Sequence, residues 1–548
     1  MKNYLNAITP LKRNQTERLD PRQVANHAGG YVYALSDEAR LTRFLVLGTD
    51  GGTFYASERG HTLQASEFVK TFVLLDAGAA LRVTLDVVRM GRAPRPDPAL
   101  LVLALIAKTA PEATHRKAAW DALPEVARTG TMLLHFLAFA DALGGWGRLT
   151  RQGVARVYEN APLDRLALWA VKFKARDGWA QADALRKAHP KTTDAGRNAV
   201  LKFMVDGVLP DVGELTEPAL RVIEGHLLAQ SVTTDRGAAT LMRGYGLPIE
   251  AVPTHLRGAE VYRAAMETNG LTWLLRNLGN LGRVGVLSTN DREVVRAVVE
   301  RVTDPDALKR GRVHPLDALK AHLVYAQGRG VKGKGEWVPV PQVVDALQDA
   351  FYLAFGAVQP AGKRFLLGLD VSGSMGVGTV GGVPGLTPLL GTAAMALVTA
   401  RTESAYSALA FSAAGGGYGG RWGGGTPGLT PLTISPRQRL DDVVGAMQKI
   451  PMGGTDCALP MLWAAKHGLA VDTFVVYTDN ETWAGDVHPT VALDRYRQTM
   501  GIGARLIVVG MTATGFTIAD PDRADMLDVV GFDSAAPGVM AGFARGEL

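Results

Sequence analysis

At residue 365 the chain changes period. Upstream, apolar residues recur at helical spacing and strand-like runs are almost absent; downstream, short apolar runs alternate with helical segments. The first pattern requires helix packed on helix, and the second a parallel sheet covered by helices. Upstream, Thr131–Leu143 places Leu133, Phe136, Leu137, Ala140 and Leu143 on one stripe. Thr216–Gln230 opens with a hydroxyl and Pro218, then sets Leu220, Ile223 and Leu227 at helical spacing. Pro341–Phe355 repeats the theme with Val343, Leu347, Phe351 and Phe355. Such an array stacks as a solenoid, although no fixed repeat period is visible. Two exceptions are expected: a loosely structured arm over residues 1–30, and a small hairpin or an irregular capping element over Leu41–Tyr55 around Gly48–Gly52.

Downstream, strands are expected at Phe365–Leu369, Tyr406–Phe411, Thr473–Tyr477 and Arg505–Val509. Helices are expected at Leu386–Arg401, Arg437–Ile450, Leu459–Leu469 and Pro489–Met500. That alternation predicts a doubly wound α/β sheet. Residues 1–360 and 361–548 are therefore read as two domains joined through Gly356–Gly362, consistent with a chain too long for one ordinary core.

Charge separates the two parts. Residues 1–360 carry 46 Lys and Arg against 37 Asp and Glu, whereas 361–548 carry 13 against 16. A basic first part suits a polyanion; a solvated surface rich in lysine and arginine is the plainer alternative. No apolar run reaches the roughly 20 residues of a membrane span, the longest being Ala99–Ala107. The polar N-terminus has no signal-peptide pattern, and Cys457 is the only cysteine, so neither an intrachain disulfide nor a cysteine zinc site can form. A cytoplasmic protein without a membrane role is expected.

The chemistry concentrates in FLLGLDVSGSM, residues 365–375. A buried strand would deliver Asp370 to its C-terminal end, followed by Ser372 and Ser374 on a glycine-flexed loop. One acid and two alcohols are hard oxygen donors, suited to Mg²⁺ or another divalent cation. The D-x-S-x-S pattern resembles the metal-ion-dependent adhesion site of von Willebrand factor A domains. Thr455 lies in a turn before a helix, and Asp479 follows the strand Thr473–Tyr477, which places it at the same sheet edge as Asp370. No triad, nucleophile–base pair or Walker loop is present, so no catalytic residue is assigned.

Longer motifs accompany this pattern: PMGGTDCALPMLWA (451–464), FVVYTDNETW (474–483), RFLVLGTDGGTFYASE (43–58), GGWGRLTRQGVARVYE (144–159), VKFKARDGWAQADALRKAHP (171–190) and LLRNLGNLGRVGVL (274–287). Together they resemble the Ro ribonucleoprotein autoantigen family, a TROVE domain fused to a von Willebrand factor A domain, and within it the bacterial branch. The resemblance implies a HEAT-like α-helical ring closed by the A domain. It implies binding of Y RNA on the outside and of single-stranded ends of misfolded RNA in the hole. It also implies a role in RNA quality control, rRNA maturation and stress response beside a 3′-to-5′ exoribonuclease partner, as a monomeric ring or as an oligomer with RNA. By the same resemblance Ser372, Ser374 and Thr455 approach the cation through hydroxyls, and Asp370 and Asp479 supply negative charge.

Within residues 171–190, Lys172 and Arg176 lie four apart and so on one helix face, with His189 closing the next helical segment. If the two helices form a hairpin, the three converge on a surface suited to A-form RNA; solvated pairs with Asp164 or Asp177 are the alternative. In the family this motif contributes to Y RNA binding. Trp146 and Trp179 read as core, Arg148 and Arg151 as a further basic pair, RNLGN (276–280) as packing or contact, and Gly415–Gly428 as a long loop. The rival functions are a metal-dependent protein-interaction scaffold and a Mg²⁺-dependent nuclease.

Overall fold

The computed structural model describes residues 14–48, 58–209, 218–330, 335–356, 358–412 and 428–547. Residues 413–427 of the expected long loop, 49–55 of the expected hairpin, and 1–13 of the expected arm lie outside them.

The N-terminal part is a sequential stack of helices. Asp37–Leu47 packs on Ala77–Arg89, which packs on Asp97–Thr109, and the stack continues through Arg148–Asn160, Gln181–Ala188, Ala195–Asp206 and Leu163–Lys172. From Arg221–Ser231 it proceeds through Asp235–Tyr245, Ala259–Thr268 and Leu271–Arg283 to Pro315–Ala326 and Pro341–Leu353. The apolar stripes read from the sequence form its interior, where Leu133, Phe136, Leu347 and Phe351 are all buried. Trp120 meets Phe136 edge-to-face at 5.2 Å, and truncating such a residue to Ala costs about 3–5 kcal/mol.

The stack closes on itself. His314, ahead of Pro315–Ala326, donates from Nε2 to Arg92 O (2.8 Å) and accepts Leu316 N–H on Nδ1 (3.1 Å). Burial pushes this imidazole down to about 4. Arg92 in turn grips the buried Asp533 carboxylate through Nε (2.7 Å). At the other end Leu440 N–H donates to Gln348 Oε1 (2.9 Å), and Arg439 pairs with Asp345. Both ends of the helical array thus rest on the C-terminal domain and touch each other: a helical ring closed by an α/β domain.

The expected hairpin over residues 41–55 is replaced, at 41–47, by the helix Asp37–Leu47. Ser36 caps it by accepting from Ala39 N–H (3.2 Å), and Asp37 and Glu38 occupy the favoured first turn. Tertiary burial of Leu41, Phe44 and Leu45 then overrides the β preference of Phe and Val. Arg43 from this helix is buried against the second domain, donating to Thr514 Oγ1 (3.1 Å) and Phe516 O (3.1 Å) and pairing with Asp528.

The expected loose arm is also ordered from residue 14. Strands β1 (Gln23–Ala25) and β2 (Tyr31–Ala34) pair antiparallel. A two-residue hairpin, β3 (Ala175–Arg176) and β4 (Trp179–Ala180), lies within the helical part. The main sheet comprises β5 (Phe365–Asp370), β6 (Tyr406–Phe411), β7 (Leu429–Leu432), β8 (Thr473–Thr478), β9 (Arg505–Gly510) and β11 (Met526–Val530). Its order is β11-β9-β8-β5-β6-β7, parallel except for the β7 edge. β10 (Phe516–Thr517) leaves it to pair with β2, so the N-terminal segment adds its strands to a strand of the C-terminal domain.

Candidate functional site

All six residues of β5 are buried, and the strand sits between β6 and β8. Its last residue, Asp370, therefore emerges beside the end of β8, which is followed by Asp479. Asp370 Oδ1 accepts Ser372 N–H (2.9 Å), and Oδ2 accepts the Thr478 hydroxyl (2.7 Å). Ser372 Oγ lies 3.2 Å from Ser374 Oγ. Asp479 Oδ1 accepts Glu481 N–H (3.1 Å). Thr455 is buried, and its carbonyl accepts Trp483 and Ala484 N–H (3.0 Å each), which fastens its loop to the segment after β8.

Two buried carboxylates thus stand at one sheet edge, and among the described residues no cation pairs with either of them. Burial raises Asp370, and burial followed by the charge of Asp370 pushes Asp479 up to about 8. Such a pair is stable only if a proton or a cation compensates it. Among the described residues no cluster of three or more His, Cys, Asp or Glu side chains could hold a metal ion. The donor set is two carboxylates and three hydroxyls, all hard oxygens, and this set fits a small hard cation.

Sequence reasoning missed the support around this cluster. Gln15 is wholly buried, and its Nε2 donates to Asp456 Oδ1 (2.8 Å) and Val487 O (2.7 Å) while its Oε1 accepts the Thr482 hydroxyl (2.5 Å). Burial pushes Asp456 up to about 6. His27 meets Glu481 Oε1 at 2.8 Å, and Asn26 donates to Thr482 O at 2.8 Å. Residues 15–27 therefore strap the loop after β8. No local pattern signals this, because its partners lie more than 400 residues away.

The basic motif folds differently from the expected helix. Lys172 is the last residue of its helix, whose cap at Phe173 closes onto Trp169 O. Arg176 lies on β3, so the two cations do not share a helix face. The reason is Asp177–Gly178, with φ of 50° and 79°, which makes the two-residue turn between β3 and β4. That Asp-Gly pair was the available signal. Gln181 anchors the hairpin by accepting the Tyr158 hydroxyl (2.5 Å) and donating to Phe173 O (3.0 Å).

Lys172 Nζ lies 3.3 Å from Glu250 Oε1 and is largely covered. Arg176 keeps 60% of its side chain exposed, with Asp177 Oδ1 at a loose 3.9 Å. His189 caps Gln181–Ala188 in the left-handed region (φ 50°) and is exposed. Trp146 and Trp179, expected in the core, are only half-buried. Their ring centroids are 5.5 Å apart, and Lys187 Nζ lies 5.5 Å from each. Arg176 is directly cross-strand from Trp179. The surface thus gathers Arg176, Lys187 and two indoles, while His189 lies exposed at the end of the helix that carries Lys187 and Lys172 turns towards Glu250.

A helical ring fastened by a doubly wound domain with an acid–hydroxyl cluster defines a TROVE-type protein with a von Willebrand factor A domain. Residues 24–210 and 250–323 match the TROVE domain family, and residues 364–544 match the Ro60 vWA domain family. The chain is 70% identical to the RNA-binding protein RO60 of Deinococcus radiodurans over 548 residues, 100% of both chains. It is 31% identical to the RNA-binding protein RO60 of Caenorhabditis elegans over 615 aligned residues, covering 98% of this chain and 93% of that one. The crystal structure of the Deinococcus radiodurans RO (RSR) protein matches with a TM-score of 0.70, over 94% of this chain and 100% of that chain. The chain belongs to the RO60 family, two members of which are named RNA-binding proteins.

Proposed function

We propose that this protein is an RNA-binding ring. Its outer basic surface holds structured RNA of the Y RNA class, its hole takes single-stranded ends of misfolded RNA, and its A domain is a cation-bearing closure that performs no chemistry. The observation that carries this reading, beyond family membership, is the solvent-facing pair Arg176 and Lys187 around two half-buried indoles, with His189 exposed at the end of the helix that carries Lys187. Guanidinium and ammonium groups contact phosphate, and shape rather than base sequence governs recognition of an A-form helix. Degradation and maturation of the bound RNA then belong to a partner, a 3′-to-5′ exoribonuclease.

At the sheet edge, Asp370, Ser372, Ser374, Thr455 and Asp479 would hold Mg²⁺ or a similar cation. The cation would supply positive charge to the two buried carboxylates and a docking point for an acidic group. This chain's residues orient the donors: Thr478 and the Ser372 amide fix Asp370, and the Glu481 amide fixes Asp479.

The test is binding of a labelled hairpin RNA to the full chain and to the Arg176→Ala/His189→Ala variant at moderate salt. The expected result is a loss of about tenfold or more in affinity with unchanged melting. Equal affinity would remove this surface from the account, and RNA cleavage abolished by Asp370→Ala would replace the binding reading with a nuclease.

A further inference from the structure

A cavity with mixed chemistry lies away from both sites, between Leu271–Arg283 and Pro315–Ala326, and encloses about 420 Å³. That volume falls in the range of about 300–1,000 Å³ that holds small organic groups. Leu275, Leu278 and Val324 give it apolar walls, and Trp337 closes it. The indole is fixed: its Nε1–H donates to Tyr325 O (2.9 Å), and its ring stacks on Tyr325 at 6.2 Å. Its place depends on the motif RNLGNLGR, residues 276–283. A Cβ at Gly279 would fall 2.6 Å from the indole ring, and one at Gly282 3.0 Å from the Trp337 Cβ. The two glycines therefore exist to seat the tryptophan, while Arg276 and Asn280 from the same motif line the cavity.

The polar lining is selective. Asn280 is committed through Nδ2 to Asn277 Oδ1 (3.0 Å). Asp317 lines the cavity opposite, and among the described residues no hydrogen bond or ion pair is made by its carboxylate. Burial raises this carboxyl, opposed by the positive charge of Arg276, Lys320 and Arg95. Arg276 likewise makes no side-chain hydrogen bond or ion pair among the described residues, and it is exposed at the mouth. A half-buried carboxylate that lines a cavity beside cations in this way is open to a donor that enters it. A carboxylate offers two parallel acceptors, and the matching partner is a group with two adjacent N–H donors.

We propose that this cavity takes the unpaired guanine base of a bound RNA strand, with the guanine N1–H and N2–H donating to Asp317 and Arg276 donating to O6. Adenine and cytosine present one amino group beside an acceptor nitrogen, and uracil one N–H between two carbonyls, so each would set a lone pair against the carboxylate. Guanine alone among the four bases satisfies both oxygens. The aliphatic walls and the Trp337 indole receive its faces, as single-stranded bases are received elsewhere. The inference rests on the RNA-binding reading for its biological ligand, but the pocket stands apart from Arg176 and His189 and is tested apart from them.

The experiment is calorimetric titration of the full chain with guanosine, inosine and adenosine 5′-monophosphates. The guanine nucleotide should bind about tenfold tighter than the other two, the scale of one good bidentate contact. Asp317→Asn should erase that preference and favour xanthosine monophosphate, whose carbonyl replaces the 2-amino group. Should Asp317→Asn melt early, Arg276→Gln at the mouth decides, with a several-fold loss expected. Equal binding of guanine and adenine nucleotides, or a preference that survives either folded variant, overturns the proposal. Hairpin RNA binding measured on the same preparations separates the two readings. Loss of guanine selectivity with hairpin binding intact removes only the pocket, and the converse removes only the outer surface.

Discussion

The two candidate sites are built in opposite ways. At the A-domain edge every donor is buried and held by short hydrogen bonds between consecutive loops, and a strap from residue 15 locks the loop that carries Asp479. On the helical ring the cations are long, exposed side chains, Arg176 on a short hairpin and Lys187 on the helix after it, with loose pairings such as Arg176 with Asp177. A small cation is recognised by donors whose positions are fixed before it arrives. A phosphate backbone is recognised by summed charge, and side chains that remain solvated until contact serve it well. Rigidity therefore separates a point ligand from an extended one within a single chain.

The comparison can be broken most severely at the junction between the two parts. Arg92→Ala leaves the buried Asp533 carboxylate unpaired and should cost about 3–5 kcal/mol of stability, read by denaturant unfolding with probes in each domain. An unchanged midpoint would show that this contact does not hold the ring closed.

Next in size is a pH effect at the same closure. The neutral His314 ring both caps a helix and donates to Arg92 O, and its value of about 4 lies below the ordinary 6.5. Between those limits the unfolded chain binds the extra proton, so stability is complete above pH 6.5 and falls as pH drops towards 4. The full loss is about 3 kcal/mol. Chemical denaturation from pH 7 to pH 4 should show this slope, and His314→Gln should flatten it.

At the A domain, Asp370→Asn removes one of two crowded charges. Added Mg²⁺ should stabilise the parent protein by about 2.7 kcal/mol when present near a hundred times its Kd, and the variant by almost nothing. A thermal shift that persists in the variant would move the cation elsewhere.

The smallest stability effect belongs to the exposed surface. Arg176→Ala with Lys187→Ala should alter melting by no more than about 0.5 kcal/mol while lowering the salt slope of RNA binding by about 0.7–0.9 for each lost phosphate contact.

Much of the A domain could be read directly, because parallel strands buried on both faces appear as apolar runs. Phe365–Asp370, Thr473–Thr478 and Arg505–Gly510 stand within a residue of their expected limits. The edge strands Leu429–Leu432 and Met526–Val530 contain Thr430, Pro431 and Asp528 and carry no such signal. In the ring, Leu41–Leu47 misled because its composition favours strand, although Ser36-Asp37-Glu38 marked a helix start. The basic surface misled because the Lys172–Arg176 spacing was read as helical, although the helix stops at Lys172 and the Asp177–Gly178 turn places Arg176 on a strand. The strap at Gln15 was invisible, since a single glutamine becomes decisive only when its partners arrive from residues 456–487.

The account stands or falls on where RNA touches this chain. Ultraviolet crosslinking of a bound hairpin RNA to the full protein, followed by mass spectrometry of the attached peptides, locates that contact directly. The expected crosslinks lie within residues 146–191 and disappear at high salt; crosslinks confined to residues 361–548 would contradict it.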